Sequence, residues 1–135
     1  MSNFAVLPPW LILDPLLREW LSEDVGRGDR TTQSLLAQNP RTGQAKWVAK
    51  APGVIAGLPV AARVFQTLDE QVKFVACAAE GELCQPGQVI AQMSGALDAL
   101  LMGERVALNL AMRLSGIASL TRQYVERIED LPARL

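Results

Sequence analysis

The sequence predicts an α+β fold, and three observations predict it. Alternating apolar and polar residues mark short half-buried strands at 44–51, at 71–77 and again around Val89, Ala91 and Met93. Apolar residues spaced three and four apart mark helices before and between those strands. From Ala96 the alternation stops, and the remaining sequence is helical in pattern. The strands are short and interleaved with helices, so the sheet reads as small and largely antiparallel.

Each element follows from its residues. Asp14-Pro15 suits an N-cap followed by the first helical position, and Leu16, Leu17, Trp20 and Leu21 form an apolar stripe ending near Glu23 or Asp24. Thr31 and Thr32 can cap a short helix through Leu36, and 39–43 is turn-forming. In the strand that follows, Ala45, Trp47, Ala49 and Ala51 face one way and Gln44, Lys46 and Lys50 the other. Pro52-Gly53 turns the chain into a second short strand at 54–56. Pro59 opens a helix whose inner side carries Val60, Ala61, Val64, Phe65 and Leu68. Val72, Phe74 and Ala76 share one face of the next strand. Residues 80–95 read as a hairpin turning at Pro86-Gly87. Two helices then follow, 97–114 and 117–129, separated or kinked at Ser115-Gly116. Ile117, Leu120, Tyr124 and Ile128 line the second.

Composition narrows the chemistry. The 135 residues are half hydrophobic and carry a net charge of −1, which supports one domain with a real core and leaves no basic footprint for nucleic acid. No apolar run is long enough for a transmembrane helix, and the first residues, MSNFAVLPPW, lack the pattern of a secretory signal. The absence of histidine excludes imidazole acid–base work and histidine metal ligation within this chain. Cys77 and Cys84 form neither a disulfide framework nor a zinc site; they read as buried free thiols, as expected of a reducing cytoplasm.

One residue is out of place. Leu101, Arg105, Leu108 and Met112 share a helical face, so a guanidinium interrupts an apolar stripe. That is costly unless an anion meets the charge. Asp98, two turns earlier, is one possible anion, and a group from outside the chain is another. The plainer reading is an arginine that snorkels to water over apolar neighbours. Other motifs carry less. Residues 26–32, GRGDRTT, lack the phosphate-loop pattern and read as a capping turn. The hairpin at 80–95 is shaped like that of a biotinyl or lipoyl carrier, but its tip holds Gln85, Pro86 and Gly87, and no lysine follows Lys73. The acidic pairs Glu23-Asp24 and Glu129-Asp130 read as solvated charges.

Taken together and in order, GRGDRTT, PGVIAGLPVAARVF at 52–65, the segment 80–95 and ERVALNLAMRLSGIASLTRQYV at 104–125 resemble quinolinate phosphoribosyltransferase. The block 104–121 is the most specific part. The resemblance implies an N-terminal α/β sandwich domain at 1–103, with 104–135 as the helical start of an α/β barrel whose remainder lies beyond this sequence. It implies a pentosyltransferase that joins quinolinate to phosphoribosyl pyrophosphate. The products are nicotinate mononucleotide, pyrophosphate and CO2, in de novo NAD synthesis. Mg2+ would accompany the pyrophosphate without ligands from this chain. It further implies a cytoplasmic homodimer in which each N-terminal domain covers the partner's barrel. The family's glutamate-arginine pair matches Glu104-Arg105, so Arg105 is expected to bind a quinolinate carboxylate in the neighbouring subunit's site. A dicarboxylate calls for such fork-shaped cations. No catalytic or metal-binding residue is assigned here, because the family's Asp-Thr-Arg-Lys-Thr strand would follow Leu135. The chain is thus expected to be a fragment, inactive alone. Alternatives are the molybdenum-transport-associated paralogue of the same fold and a non-catalytic truncated module that still dimerises or caps a barrel.

Overall fold

The computed structural model describes residues 6–27 and 40–132. The expected cap at Thr31-Thr32 and most of the 26–32 turn lie outside them. Eight elements follow in order: α1 (Trp10–Arg27), β1 (Thr42–Val48), β2 (Gly53–Val54), α2 (Leu58–Leu68), β3 (Lys73–Ala76), β4 (Leu83–Cys84), β5 (Val89–Ala96) and α3 (Leu97–Ile128). The fold is the expected α+β sandwich. A three-stranded antiparallel sheet, ordered β1-β5-β3, carries helices on its inner face, and β2 pairs with β4 in a separate antiparallel ribbon.

The core forms where the period-2 and period-3.6 faces meet. Ala91 and Met93 of β5 point inward against Val60, Val64 and Phe65 of α2 and Leu17 and Leu21 of α1. Phe65 is fully buried and lies within aromatic range of Trp47 (6.4 Å) and Phe74 (6.1 Å). Those two rings meet edge to face at 5.8 Å. A register shift after Trp47 pairs Val48 with Val89 and leaves Ile90 as the extra residue of a β-bulge. The Ile90 carbonyl is satisfied by the Cys77 and Ala78 amides at 2.7 and 3.1 Å.

Several expectations change. Helix α1 begins at Trp10, not at Asp14-Pro15, because the backbone amides of Ile12 and Leu13 already close onto the Pro9 carbonyl. Pro15 therefore lies inside the helix, and Asp14 does not cap it: its carboxylate takes both forks of Arg63, at 2.9 and 2.8 Å. The strand expected after 43 begins at Thr42, and the one expected at 54–56 lies at Gly53–Val54. The segment 80–95 turns at Pro86-Gly87 but is not a hairpin, since β4 pairs with β2 while β5 pairs with β1 and β3. Helix α2 matches its expected inner face, and it is capped from outside. The amides of Gly57 and Leu58 donate to the two carboxylate oxygens of Glu80 at 2.9 and 2.8 Å.

The largest correction concerns the end of the chain. Residues 97–128 form one unbroken helix of 32 residues, and Ser115-Gly116 neither separates nor ends it. The serine is used for tertiary bonding. Ser115 Oγ accepts from the Ala56 amide at 3.0 Å, and Ser119 Oγ accepts from the Val54 amide at 2.8 Å. Both hydroxyls tie α3 to the β2 segment. The boundary expected after residue 103 thus falls within a continuous helix. Ile117, Leu120 and Tyr124 do line one side, but that side is exposed.

Candidate functional site

Helix α3 packs inward through small residues. Ala99, Gly103, Ala107 and Ala111 recur every fourth position and are all buried. They bring the α3 backbone close to α2: a β-carbon on Gly103 would stand 2.8 Å from the Phe65 ring. This choice of inner face turns the Leu101, Leu108, Met112 face away from the core. Leu101 and Met112 are exposed, and so is Arg105, with 75% of its side chain accessible. The stripe that Arg105 interrupts faces outward, and the guanidinium reaches water as the plainer reading expected. Asp98 is not the partner either, since its carboxylate accepts from the Ala99 amide at the helix start.

The partner comes from α1. Leu17 and Leu21 seat α1 on the core, and this places Trp20, Glu23 and Asp24 along one wall of a groove. Arg105, Asn109 and Arg113, each one turn apart on α3, form the other wall. The groove encloses about 440 Å³. Arg105 Nη1 donates to Asp24 Oδ1 at 3.4 Å, and the Asp24 side chain is only 23% exposed. This single contact leaves the remaining guanidinium N–H groups without a partner among the described residues. Arg113 has no ion pair among them. The groove can therefore accept an oxyanion through free, fork-shaped donors.

Sequence reasoning singled out Arg105, read Asp24 as a solvated charge and Trp20 as part of an apolar stripe, and did not consider Arg113. The Arg105, Asn109, Arg113 spacing was visible at i, i+4 and i+8. The Asp24 contact, 81 residues away, was not. A second groove, about 530 Å³, lies between the β1–β2 segment and α3. Its walls include Val48, Ile55, Leu108 and Met112, with only Lys46 and Lys50 charged. It offers apolar surface and no reactive group.

Elsewhere the ionisable groups are structural. The Arg63 hydrogen bonds hold the Asp14 carboxyl below its ordinary range, and Arg63 also lies 5.1 Å from the Trp10 ring centre. Hydrogen bonds from Gln88, the Ala79 amide and Cys84 lower the Glu82 carboxyl. Burial first, and then Glu82, pushes the Cys84 thiol up, which makes it a poor nucleophile at neutral pH. Among the described residues no group of three or more His, Cys, Asp or Glu could hold a metal ion.

The α+β sandwich continuing into a long helix, with an arginine presented at its rim, defines a domain class. The chain belongs to the family described as quinolinate phosphoribosyl transferase, N-terminal domain, which matches residues 29–115. The probable nicotinate-nucleotide pyrophosphorylase (carboxylating) of Synechocystis sp. is 59% identical over 133 residues, covering 98% of this chain and 44% of that protein. The human nicotinate-nucleotide pyrophosphorylase (carboxylating) is 38% identical over 125 residues, covering 93% and 40%. The crystal structure of NadC from Streptococcus pyogenes superposes with a TM-score of 0.83 at 35% identity, over 92% of this chain and 45% of that one. The chain spans less than half the length of these relatives.

Proposed function

We propose that this chain is the N-terminal portion of a quinolinate phosphoribosyltransferase, with residues 1–103 as the sandwich domain and 104–135 as the start of the barrel domain. The reaction joins quinolinate and phosphoribosyl pyrophosphate and releases nicotinate mononucleotide, pyrophosphate and CO2. The names of the relatives favour this reading over the molybdenum-transport-associated paralogue. The observation that supports it is Arg105, which lies within the family match, is exposed, and has a single contact of 3.4 Å to Asp24 among the described residues. In the proposed cytoplasmic homodimer, Arg105 meets a quinolinate carboxylate in the partner's barrel. Mg2+ supplies charge neutralisation at the pyrophosphate. The exposed Ile117, Leu120, Tyr124 and Val125 are the face against which barrel strands pack.

The test joins this chain to the barrel half of the Synechocystis relative and measures nicotinate mononucleotide formation. The fusion is expected to turn over and the 135-residue chain alone is not. Arg105→Ala in the fusion should weaken quinolinate binding by about 2–4 kcal/mol, the cost of losing one fork to a carboxylate. A folded fusion that makes no product, or an Arg105→Ala fusion with unchanged quinolinate affinity, rejects the reading.

A further inference from the structure

The molecule contains an internal comparison between two arginine–aspartate pairs. Arg63 meets Asp14 with both Nε and Nη2, at 2.9 and 2.8 Å, and its flat face lies against Trp10. Its Nε/Nη2 edge is fully taken by one carboxylate. Arg105 meets Asp24 through Nη1 alone, at 3.4 Å. Its fork is open. The two acids also differ from their cations in setting: Arg105 is 75% exposed, whereas Asp24 is 23% exposed and fixed in a helix anchored by buried Leu17 and Leu21.

An exposed arginine on a helix explores many rotamers, and each must be given up when an anion binds. A carboxylate on a rigid neighbouring helix restricts that search. It does so here by one edge only, and the contact is long enough to yield to a better-aligned anion. We propose that Asp24 is a positioning residue: it holds the Arg105 guanidinium at the groove rim, fork outward, ready for an incoming carboxylate. Arg113, on the same wall and without an ion pair among the described residues, is the untethered counterpart. The inference rests on the substrate-binding reading of Arg105 for its purpose and on the α1–α3 contact for its geometry.

The experiment has two arms. In the 135-residue chain, the side-chain Nε–Hε order parameters of Arg63, Arg105 and Arg113 are measured by NMR, with and without Asp24→Asn. Arg105 should be more restricted than Arg113. Asp24→Asn should release it to the level of Arg113 and leave Arg63 unchanged. An Arg105 as mobile as Arg113 in the unaltered chain, or one indifferent to Asp24→Asn, overturns the proposal. In the fusion enzyme, Asp24→Asn should raise the quinolinate KM roughly two- to fivefold, the scale of an exposed ion pair. It should leave kcat and the phosphoribosyl pyrophosphate KM within twofold, and Asp24→Glu should restore part of the loss. The effect must vanish in an Arg105→Ala background. An effect that persists there assigns Asp24 a merely structural role and overturns the proposal. If Arg105→Ala itself leaves quinolinate KM unchanged while the NMR arm succeeds, the substrate reading fails and the tether stands.

Discussion

Two glycines on α3 should respond to the same substitution with opposite sign. Gly103 is buried, and a β-carbon there would stand 2.8 and 2.9 Å from Phe65 ring atoms and 3.1 Å from Leu68. Phe65 is fully buried between α2, β1 and β3, so its ring has no free space to retreat into. Overpacking of this kind costs about 1–3 kcal/mol. Replacing a helical glycine by alanine returns about 1 kcal/mol. The net for Gly103→Ala is a loss of roughly 0–2 kcal/mol. Gly116 is exposed and has no heavy atom within 4 Å of the same position, so only the propensity gain applies. At about 2.1 cal/mol/K per residue, 1 kcal/mol moves Tm by roughly 3–4 °C in a chain of this length. Gly103→Ala should therefore lower Tm by up to about 7 °C and Gly116→Ala should raise it by about 3–4 °C. Thermal and urea unfolding of the 135-residue chain, followed by circular dichroism, reads both. A Gly103→Ala protein as stable as Gly116→Ala would falsify the close α2–α3 packing. Because Gly103 lies two residues before Arg105, a displaced α3 should also disturb the Arg105–Asp24 contact.

Other outcomes follow from the same contacts. Glu80→Ala removes the acceptor for two helix-start amides and should cost about 1–2 kcal/mol in urea unfolding; a loss near zero would mean that water caps α2 equally well. The Asp14 carboxyl is held below its usual 3.8 by Arg63, so the folded state binds its proton less readily than the unfolded chain. Its stabilising contribution is present above that ordinary value and is lost as pH falls through the lowered one. The stability gap between the unaltered chain and Asp14→Asn should thus narrow as pH falls through and below the ordinary carboxylate range, and a gap that stays constant rejects the ion pair as its source. Leu120→Ser should change the isolated chain by less than about 0.5 kcal/mol, since Leu120 is exposed, but should cost at least about 1.5 kcal/mol in the barrel fusion. Equal small effects in both would mean that nothing covers this face.

Local chemistry was readable and long-range partnership was not. Helix α2 was legible because Pro59 suits its first turn and Val60, Val64 and Leu68 repeat on one face. The turn at Pro86-Gly87 was legible for the same local reason. The pairing of the strands around it was not, because β4 is captured by β2, with Ile55 donating to the Glu82 carbonyl at 3.0 Å. Ser115-Gly116 looked like a break because serine and glycine are weak helix formers. The compensation comes from Ala56 and Val54, about sixty residues earlier. Asp14 looked like a cap because its partner Arg63 is 49 residues away.

The misplacement of Arg105 has a more general cause. Periodicity identifies apolar faces but does not say which one turns inward when a helix has two. Helix α3 has a face of small residues, Ala99, Gly103, Ala107 and Ala111, and a face of large ones that includes Leu101, Leu108 and Met112. Burial per residue favours the large face. Close approach favours the small one, because α2 brings Phe65 and Gly57 to the helix axis and leaves no room for longer side chains. Packing decides, and the large face is left outward. Arg105 turns outward with it. An arginine next to an uncovered apolar face is wet in this domain and becomes partly desolvated only when another domain covers that face. Its hydrogen bonds to an anion then strengthen. On the proposed function, the residue that seemed misplaced in an isolated helix is placed for the junction of two domains.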